Sequence, residues 1–160
     1  MTARDVTSND AVLGHIAASG IHHLPVQIYY EDTDFSGFVY HANYLKFAER
    51  GRSSLLKLAG ITHTQLLDLQ PQLAFVVSHM AIDFLRPGRI DDRLLVETGF
   101  TEIRGARLKA EQRISRDGEV LWQADVLAAV VDLQGRPKRL PREMADTLQG
   151  FTCASYLQRK

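Results

Sequence analysis

One long helical stretch, His41 to Ala59, stands between a single strand and a run of alternating segments, and this order restricts the folds open to the chain. Leu45, Ala48, Leu55, Leu56 and Ala59 lie on one side of that helix, with Tyr40, Tyr44, Phe47, Gly51 and Leu58 on neighbouring sides. An apolar surface this broad predicts a helix packed into a sheet rather than laid across a surface. Gly51 in mid-helix predicts a close backbone approach, because glycine there is costly otherwise. Residues 22–30 read as a strand, and Thr62 or Thr64 opens a short helix ending near Asp68. After Pro71 the period becomes two. Val76, Met80, Ile82 and Phe84 share a face with Ser78, and Phe75, Val77, His79 and Asp83 take the other. Strands follow at 94–103, 106–116 and 120–132. In the second of them Arg107, Lys109, Glu111 and Arg113 point outward. Pro141 starts a small helix to 148. Strand, long helix, then four antiparallel strands predict a curved sheet around the helix, with open edges that a second copy would cover.

The length of 160 residues suits one domain. We read 21–150 as that domain, 1–20 as a flexible N-terminal tail and 151–160 as a C-terminal tail. Basic and acidic residues both number 19, so no global charge favours nucleic acid. The lone Cys153 excludes an internal disulfide and allows a reducing compartment. The first 20 residues contain Arg4, Asp5, Asp10 and His15 and do not read as a secretory signal, and no stretch has bilayer length without a charge. The expected location is cytoplasmic, with peripheral contact at the inner membrane allowed. His22, His23, His63 and His79 lack ligand spacing, so no metal site is expected.

The segment Tyr30-Glu31-Asp32-Thr33-Asp34-Phe35-Ser36-Gly37-Phe38-Val39-Tyr40-His41-Ala42-Asn43-Tyr44 carries the chemistry. A strand runs into two carboxylates, a glycine bend follows, and a histidine opens the helix. This order brings an anionic side chain near the positive end of a helix. Such a pair can act on a carbonyl, the carboxylate from one side and free N–H groups from the other. Taken alone, Asp34 is equally a turn or capping residue.

The spacing Asp-x-Asp…Gly…His-x-Asn-Tyr resembles the signature of hotdog-fold acyl-CoA thioesterases of the 4-hydroxybenzoyl-CoA thioesterase class. Within that class it is most similar to the small bacterial thioesterases associated with the Tol–Pal envelope system. The resemblance runs to about Pro141 and implies an α+β hotdog fold, a curved antiparallel sheet around one central helix. It implies hydrolysis of acyl-CoA to acid and coenzyme A, with Asp34 as nucleophile or general base and the amide of His41 in the oxyanion hole. Gly37 and Tyr40 are the neighbouring residues expected at the substrate; Tyr40 also packs, and Asn43 satisfies first-turn donors. Asp32 is expected as a turn residue or as a support behind the site, and Glu49 in a polar contact beside the site or at the dimer interface. Phe35 stands where the family has small residues and is expected to reshape the acyl pocket. Arg104, Arg107, Lys138 and Arg139 are the cations expected to meet coenzyme A phosphates. No cofactor is implied, since coenzyme A is part of the substrate and a thiolate leaves without a strong acid. The implied assembly is a homodimer, extended to a tetramer. The alternative is a non-catalytic module binding acyl groups or acyl carrier protein in envelope lipid metabolism.

Overall fold

The computed structural model describes residues 11–158. Its elements are β1 (His15–Ile16), β2 (His22–Gln27), α1 (His41–Leu58), α2 (His63–Leu67), β3 (Leu73–Phe84), β4 (Arg93–Arg104), β5 (Arg107–Arg116), β6 (Glu119–Asp132) and α3 (Arg142–Gln149). The strands form one antiparallel sheet in the order β1-β2-β4-β5-β6-β3. The expected α+β hotdog architecture is therefore present. It has six strands rather than five, because residues 15–16 pair with His22 and His23.

Burial drives α1 onto the sheet. Tyr44, Phe47, Ala48 and Leu55 are buried against Val96, Ile114, Trp122 and other strand residues. Tyr44 and Trp122 stack, with ring centroids 6.4 Å apart and 8° between planes. Leu45 departs from the expected face and is exposed, since the buried stripe runs along 44, 47, 48, 51 and 55. Gly51 is the close approach that its position predicts. A Cβ there would lie 2.5 Å from the Thr98 hydroxyl and 3.1 Å from Val96. Thr98 is itself fixed, accepting from Gln112 Nε2 at 2.8 Å, while that amide also donates to the Ala48 carbonyl at 2.8 Å. The helix and the sheet are thus pinned together by buried, mutually satisfied polar groups. α2 starts at Thr62, whose hydroxyl accepts from the Gln65 amide while Gln65 reaches back to the Thr62 amide, a reciprocal cap.

Both chain ends differ from the expected tails where they are described. The arm ahead of β2 is held by His22, which is fully buried and bonds the Leu13 carbonyl through Nε2 at 2.6 Å; residues 1–10 lie outside the described residues. The segment 151–158 crosses the outer face of β4 and β5. Cys153 donates its amide to the Phe100 carbonyl at 2.8 Å, and Tyr156 and Leu157 donate theirs to the Glu111 carboxylate at 2.7 and 3.0 Å. This contact overturns one expectation: Glu111 alternates to the outward face, yet it is only 2% exposed because the C-terminal segment lies over it.

β3 is an edge strand. It pairs with β6 from Leu73 to Phe84, with an irregularity between Val77 and His79, and its other side has no strand partner among the described residues. Val76, Val77, Phe84 and Leu85 are exposed along it.

Candidate active site

The loop between β2 and α1 is built to present one carboxylate. After β2 the chain makes a single 3-10 turn, Tyr30–Asp32, in which the Tyr29 amide donates to Asp32 Oδ2 at 2.8 Å. The Asp32 carbonyl then accepts from the Tyr40 amide at 2.9 Å and from Asn43 Nδ2 at 2.8 Å. Of its two expected roles, Asp32 therefore takes that of a turn residue. Asn43 acts differently from its expected role: it donates to the loop and ties it to the helix instead of accepting from first-turn donors. Between these anchors Asp34 opens a tight bend. Its amide donates to Phe38 O, its carbonyl accepts from Gly37 N, each at 3.0 Å, and Gly37 sits at φ +80°, where a side chain is strained.

The Asp34 side chain is exposed and faces a cavity of about 340 Å³ that His41, Tyr44, Phe84, Arg86 and Pro87 also line. Its Oδ1 accepts from the Ser36 amide at 2.8 Å and from the Ser36 hydroxyl. Those two donors, the hydroxyl foremost, hold the carboxyl below its ordinary range, and the nearby His41 adds to the effect. The His41 ring packs on Tyr40, 4.5 Å between centroids, and meets Phe84 edge-on at 6.5 Å. Tyr40 gives the helix no side-chain cap, so the start of α1 is not closed by its own N-cap residue. The arrangement thus sets an ionised carboxylate and a helix start with no side-chain cap around one space, the two parts needed to act on a carbonyl.

Of the residues singled out in sequence, Asp34 and His41 line this cavity. Gly37 shapes the bend, and Tyr40 flanks His41 without lining the space. Phe35 is fully exposed and does not line it either. The cations converge elsewhere: Arg104, Arg107 and Arg139 surround a separate cavity of about 610 Å³ at the β4–β5 turn. Lys138 is not among its lining residues; its amide donates to Val130 O in the chain leaving β6. The two groups lie toward opposite ends of β3. Phe84 borders the Asp34 cavity, whereas Arg107 pairs with Ala129, which pairs with Val76. Eight residues of strand correspond to about 26 Å. Arg86 was not foreseen at the site. It is brought there because the Val39 amide donates to Gly88 O and Gly88 N donates to the Tyr44 hydroxyl, both at 2.9 Å, a tertiary contact without a local sequence signal. Glu49, expected in a polar contact, accepts from the Ser53 hydroxyl. Among the described residues no group of three or more His, Cys, Asp or Glu is placed to hold a metal.

A six-stranded antiparallel sheet around one long helix, with a carboxylate loop at the helix start, defines a hotdog protein of the thioester-hydrolysing kind. The chain belongs to the thioesterase superfamily, whose profile matches residues 36–123, and is an enzyme of that class. It is 46% identical over 121 residues to the acyl-CoA thioesterase YbgC of Haemophilus influenzae, covering 75% of this chain and 88% of that protein. It is 39% identical over 122 residues to the acyl-CoA thioester hydrolase YbgC of Escherichia coli, covering 75% of this chain and 90% of that protein. The crystal structure of a probable thioesterase from Bartonella henselae superposes with a TM-score of 0.73 at 43% identity, covering 76% of this chain and 99% of that one. No helix among the described residues is long and apolar enough to cross a membrane.

Proposed function

We propose that the protein hydrolyses acyl-CoA thioesters at a site two copies build together, with Asp34 as the reacting carboxylate. The observation that carries this is the shared cavity of Asp34 and His41 at a helix start without a side-chain cap. The relatives named for acyl-CoA hydrolysis support the substrate class. The thioester carbonyl lies between Asp34 and the first amides of α1, with its oxygen on the His41 amide. Asp34 either attacks the carbonyl, giving a mixed anhydride that water cleaves, or takes a proton from an attacking water. In both courses the C–S bond breaks and the thiolate of coenzyme A leaves, so no cofactor is required. Ser36 favours the ionised carboxylate further through Oδ1.

The partner is needed because the cations stand too far away within one chain. Antiparallel pairing of two β3 edges about the strand's midpoint sets the Phe84 end of one copy beside the Phe75 end of the other. Arg104, Arg107 and Arg139 of one subunit then serve the Asp34 site of its neighbour, where their forked guanidiniums suit coenzyme A phosphates. Pairing also covers the exposed Val76, Val77 and Phe84. We place this homodimer, and its doubling to a tetramer, in the cytoplasm, where Cys153 stays reduced. A second reading, a non-catalytic module that binds acyl carrier protein or acyl groups, draws on the fully exposed Phe35 beside the site.

Mixing two inactive variants tests the shared site. Asp34→Asn and a triple Arg104→Ala, Arg107→Ala, Arg139→Ala variant should each lose hydrolysis. Co-refolded in equal amounts, they should recover about a quarter of wild-type turnover, since half of the dimers then hold one complete site. No recovery despite mixed dimers would place both groups of residues in separate functions, and thiol release from neither wild type nor mixture would favour the binding module.

A further inference from the structure

Arg86 puts a guanidinium into the lining of the Asp34 cavity, and the fold fixes the backbone that carries it. The Leu85 and Arg86 amides both donate to the Leu121 carbonyl, at 2.8 and 3.1 Å, as the chain leaves β3. Pro87 follows and disfavours helical backbone at Arg86. Gly88 then ties the turn to α1, its amide donating to the Tyr44 hydroxyl at 2.9 Å. A larger residue has little room there, since a Cβ on Gly88 would lie 3.0 Å from Val39 Cγ2 and 3.2 Å from that hydroxyl. The Arg86 side chain is exposed, and its Nη1 donates to the Leu85 carbonyl at 3.1 Å. Among the described residues no carboxylate forms an ion pair with it, Asp34 included. A guanidinium has five N–H donors, so most of them remain for a ligand.

We propose that Arg86 receives the sulfur of the thioester and stabilises the charge that gathers there as the C–S bond breaks. The proposal rests on the reading of Asp34 as the reacting carboxylate. The rest of the cavity leaves this part to Arg86. Phe38, Val39, Phe84, Leu85 and Pro87 give it an apolar wall, and the buried Tyr44 has its hydroxyl engaged by Gly88. The carbonyl oxygen takes the first amides of α1, and Asp34 acts on the carbon or on the attacking water. Sulfur is the remaining atom that turns negative, and Arg86 is the lining side chain that keeps its charge at every working pH. The electron pair of the broken bond goes to sulfur. Arg86 gives up no proton, and the thiolate takes one from water after it leaves. A cation already in place stabilises charge that develops in the transition state without reorganising to meet it. The phosphates of coenzyme A are a second source of anionic oxygen. The pantetheine arm separates them from the sulfur, and the partner's arginines are the cations assigned to them above.

A leaving-group series on the full-length protein tests this. Butyryl-CoA, S-butyryl-N-acetylcysteamine and S-butyryl-4-nitrothiophenol share one acyl group. The first two release a basic alkyl thiolate, the third a weakly basic aryl thiolate, and only the first has phosphates. Arg86→Gln should lower kcat/KM for both alkyl thioesters by about a hundredfold, and for the aryl thioester by about threefold or less. Arg86→Lys keeps the charge and should restore most of the loss; it also carries the test if Arg86→Gln does not fold, since a lysine variant that loses all three substrates equally overturns the proposal. A loss confined to butyryl-CoA assigns Arg86 to a phosphate and overturns it, as does an equal loss, or none, on all three. Asp34→Asn separates the two readings. If that variant keeps wild-type rates while Arg86→Gln shows the leaving-group pattern, the carboxylate assignment fails and Arg86 stands. If it is inactive and Arg86→Gln shows no pattern, only the role of Arg86 fails.

Discussion

Asp34 and Glu111 are both carboxylates reached from strands, and the fold treats them in opposite ways. Asp34 is exposed on a bend, and its carboxylate accepts from one neighbour, Ser36, at Oδ1. Glu111 is 2% exposed, and both its oxygens accept, from Ser155, Tyr156 and Leu157. Tyr156 adds a hydroxyl bond to the Glu111 carbonyl at 2.6 Å and lies under the Arg113 guanidinium, 5.2 Å from its ring centre. A carboxylate satisfied by three donors fixes chain and has little left to offer a substrate. One with an oxygen facing an open cavity contributes little to folding and is free to react. The difference teaches that the buried acid is committed to holding chain, whereas the exposed one keeps the open side that the proposed reaction requires.

The largest effect expected from this contrast is catalytic. Asp34→Asn keeps the shape and the Ser36 contacts through its remaining carbonyl oxygen, yet removes the charge. Turnover of an active acyl-CoA should fall by about a thousandfold or more, with the melting temperature nearly unchanged. Glu111→Ala should do the reverse. Three donors lose their acceptor, and stability should drop by about 1–3 kcal/mol. In a domain of this size each kcal/mol lowers the melting temperature by about 2–4 °C. Activity per folded molecule should stay near wild type, while limited proteolysis of the segment after Gly150 should become faster. A stable Glu111→Ala variant with low activity would break the comparison, because it would put the buried acid in the reaction.

What could be read from the residues follows the same division. The long helix and the strands rest on local pattern and stand close to where it predicts, although β2 ends at Gln27 and residue 30 already belongs to the 3-10 turn; the motif residues Asp34 and His41 line one cavity. Of the two threonines that could open α2, the structure uses Thr62, and the close approach at Gly51 was visible. The failures are tertiary. Glu111 alternates outward with Arg107, Lys109 and Arg113, and only the returning C-terminal segment buries it. Arg86 enters the site through a contact between Val39 and Gly88 across 49 residues of chain. The short strand β1 has two residues, too few for any period to show. Arg104, Arg107 and Arg139 do converge, but on a cavity away from Asp34, because β3 separates the two groups along its length.

A smaller effect should appear in the pH dependence of stability, and it belongs to a buried histidine rather than to either acid. Burial pushes the His22 imidazole below its ordinary range, so the folded protein keeps it neutral. The unfolded chain takes up a proton there as pH falls through about 6.5. The unfolded state then binds more protons, and stability declines as pH drops below that point, by at most about 1.4 kcal/mol per pH unit for this one group. The decline ends once pH passes the folded value. Thermal melts at pH 7 and 5.5 should show this loss in wild type. His22→Gln should flatten it, and an unaltered slope in that variant would assign the acid sensitivity to other groups.

The finest test concerns Ser36, the residue that keeps one oxygen of Asp34 occupied. Its hydroxyl is the foremost cause of the lowered Asp34 value, with its amide second and His41 contributing in the same direction. Ser36→Ala removes the hydroxyl and leaves the amide, so the Asp34 titration should rise toward the ordinary carboxylate range without reaching it. The sign follows from which form is stabilised: a donor to Oδ1 favours the charged carboxylate, and its loss favours the proton. Carbon-13 NMR of the Asp34 side-chain carboxyl reads this directly, and the acid limb of kcat/KM should move to higher pH by the same displacement. At neutral pH the carboxylate is ionised in both proteins, so turnover there should change little. A large loss at neutral pH with an unmoved titration would mean that Ser36 positions the bend instead of charging it, and the free-oxygen account of Asp34 would then need the loop's geometry, not its proton, as its foundation.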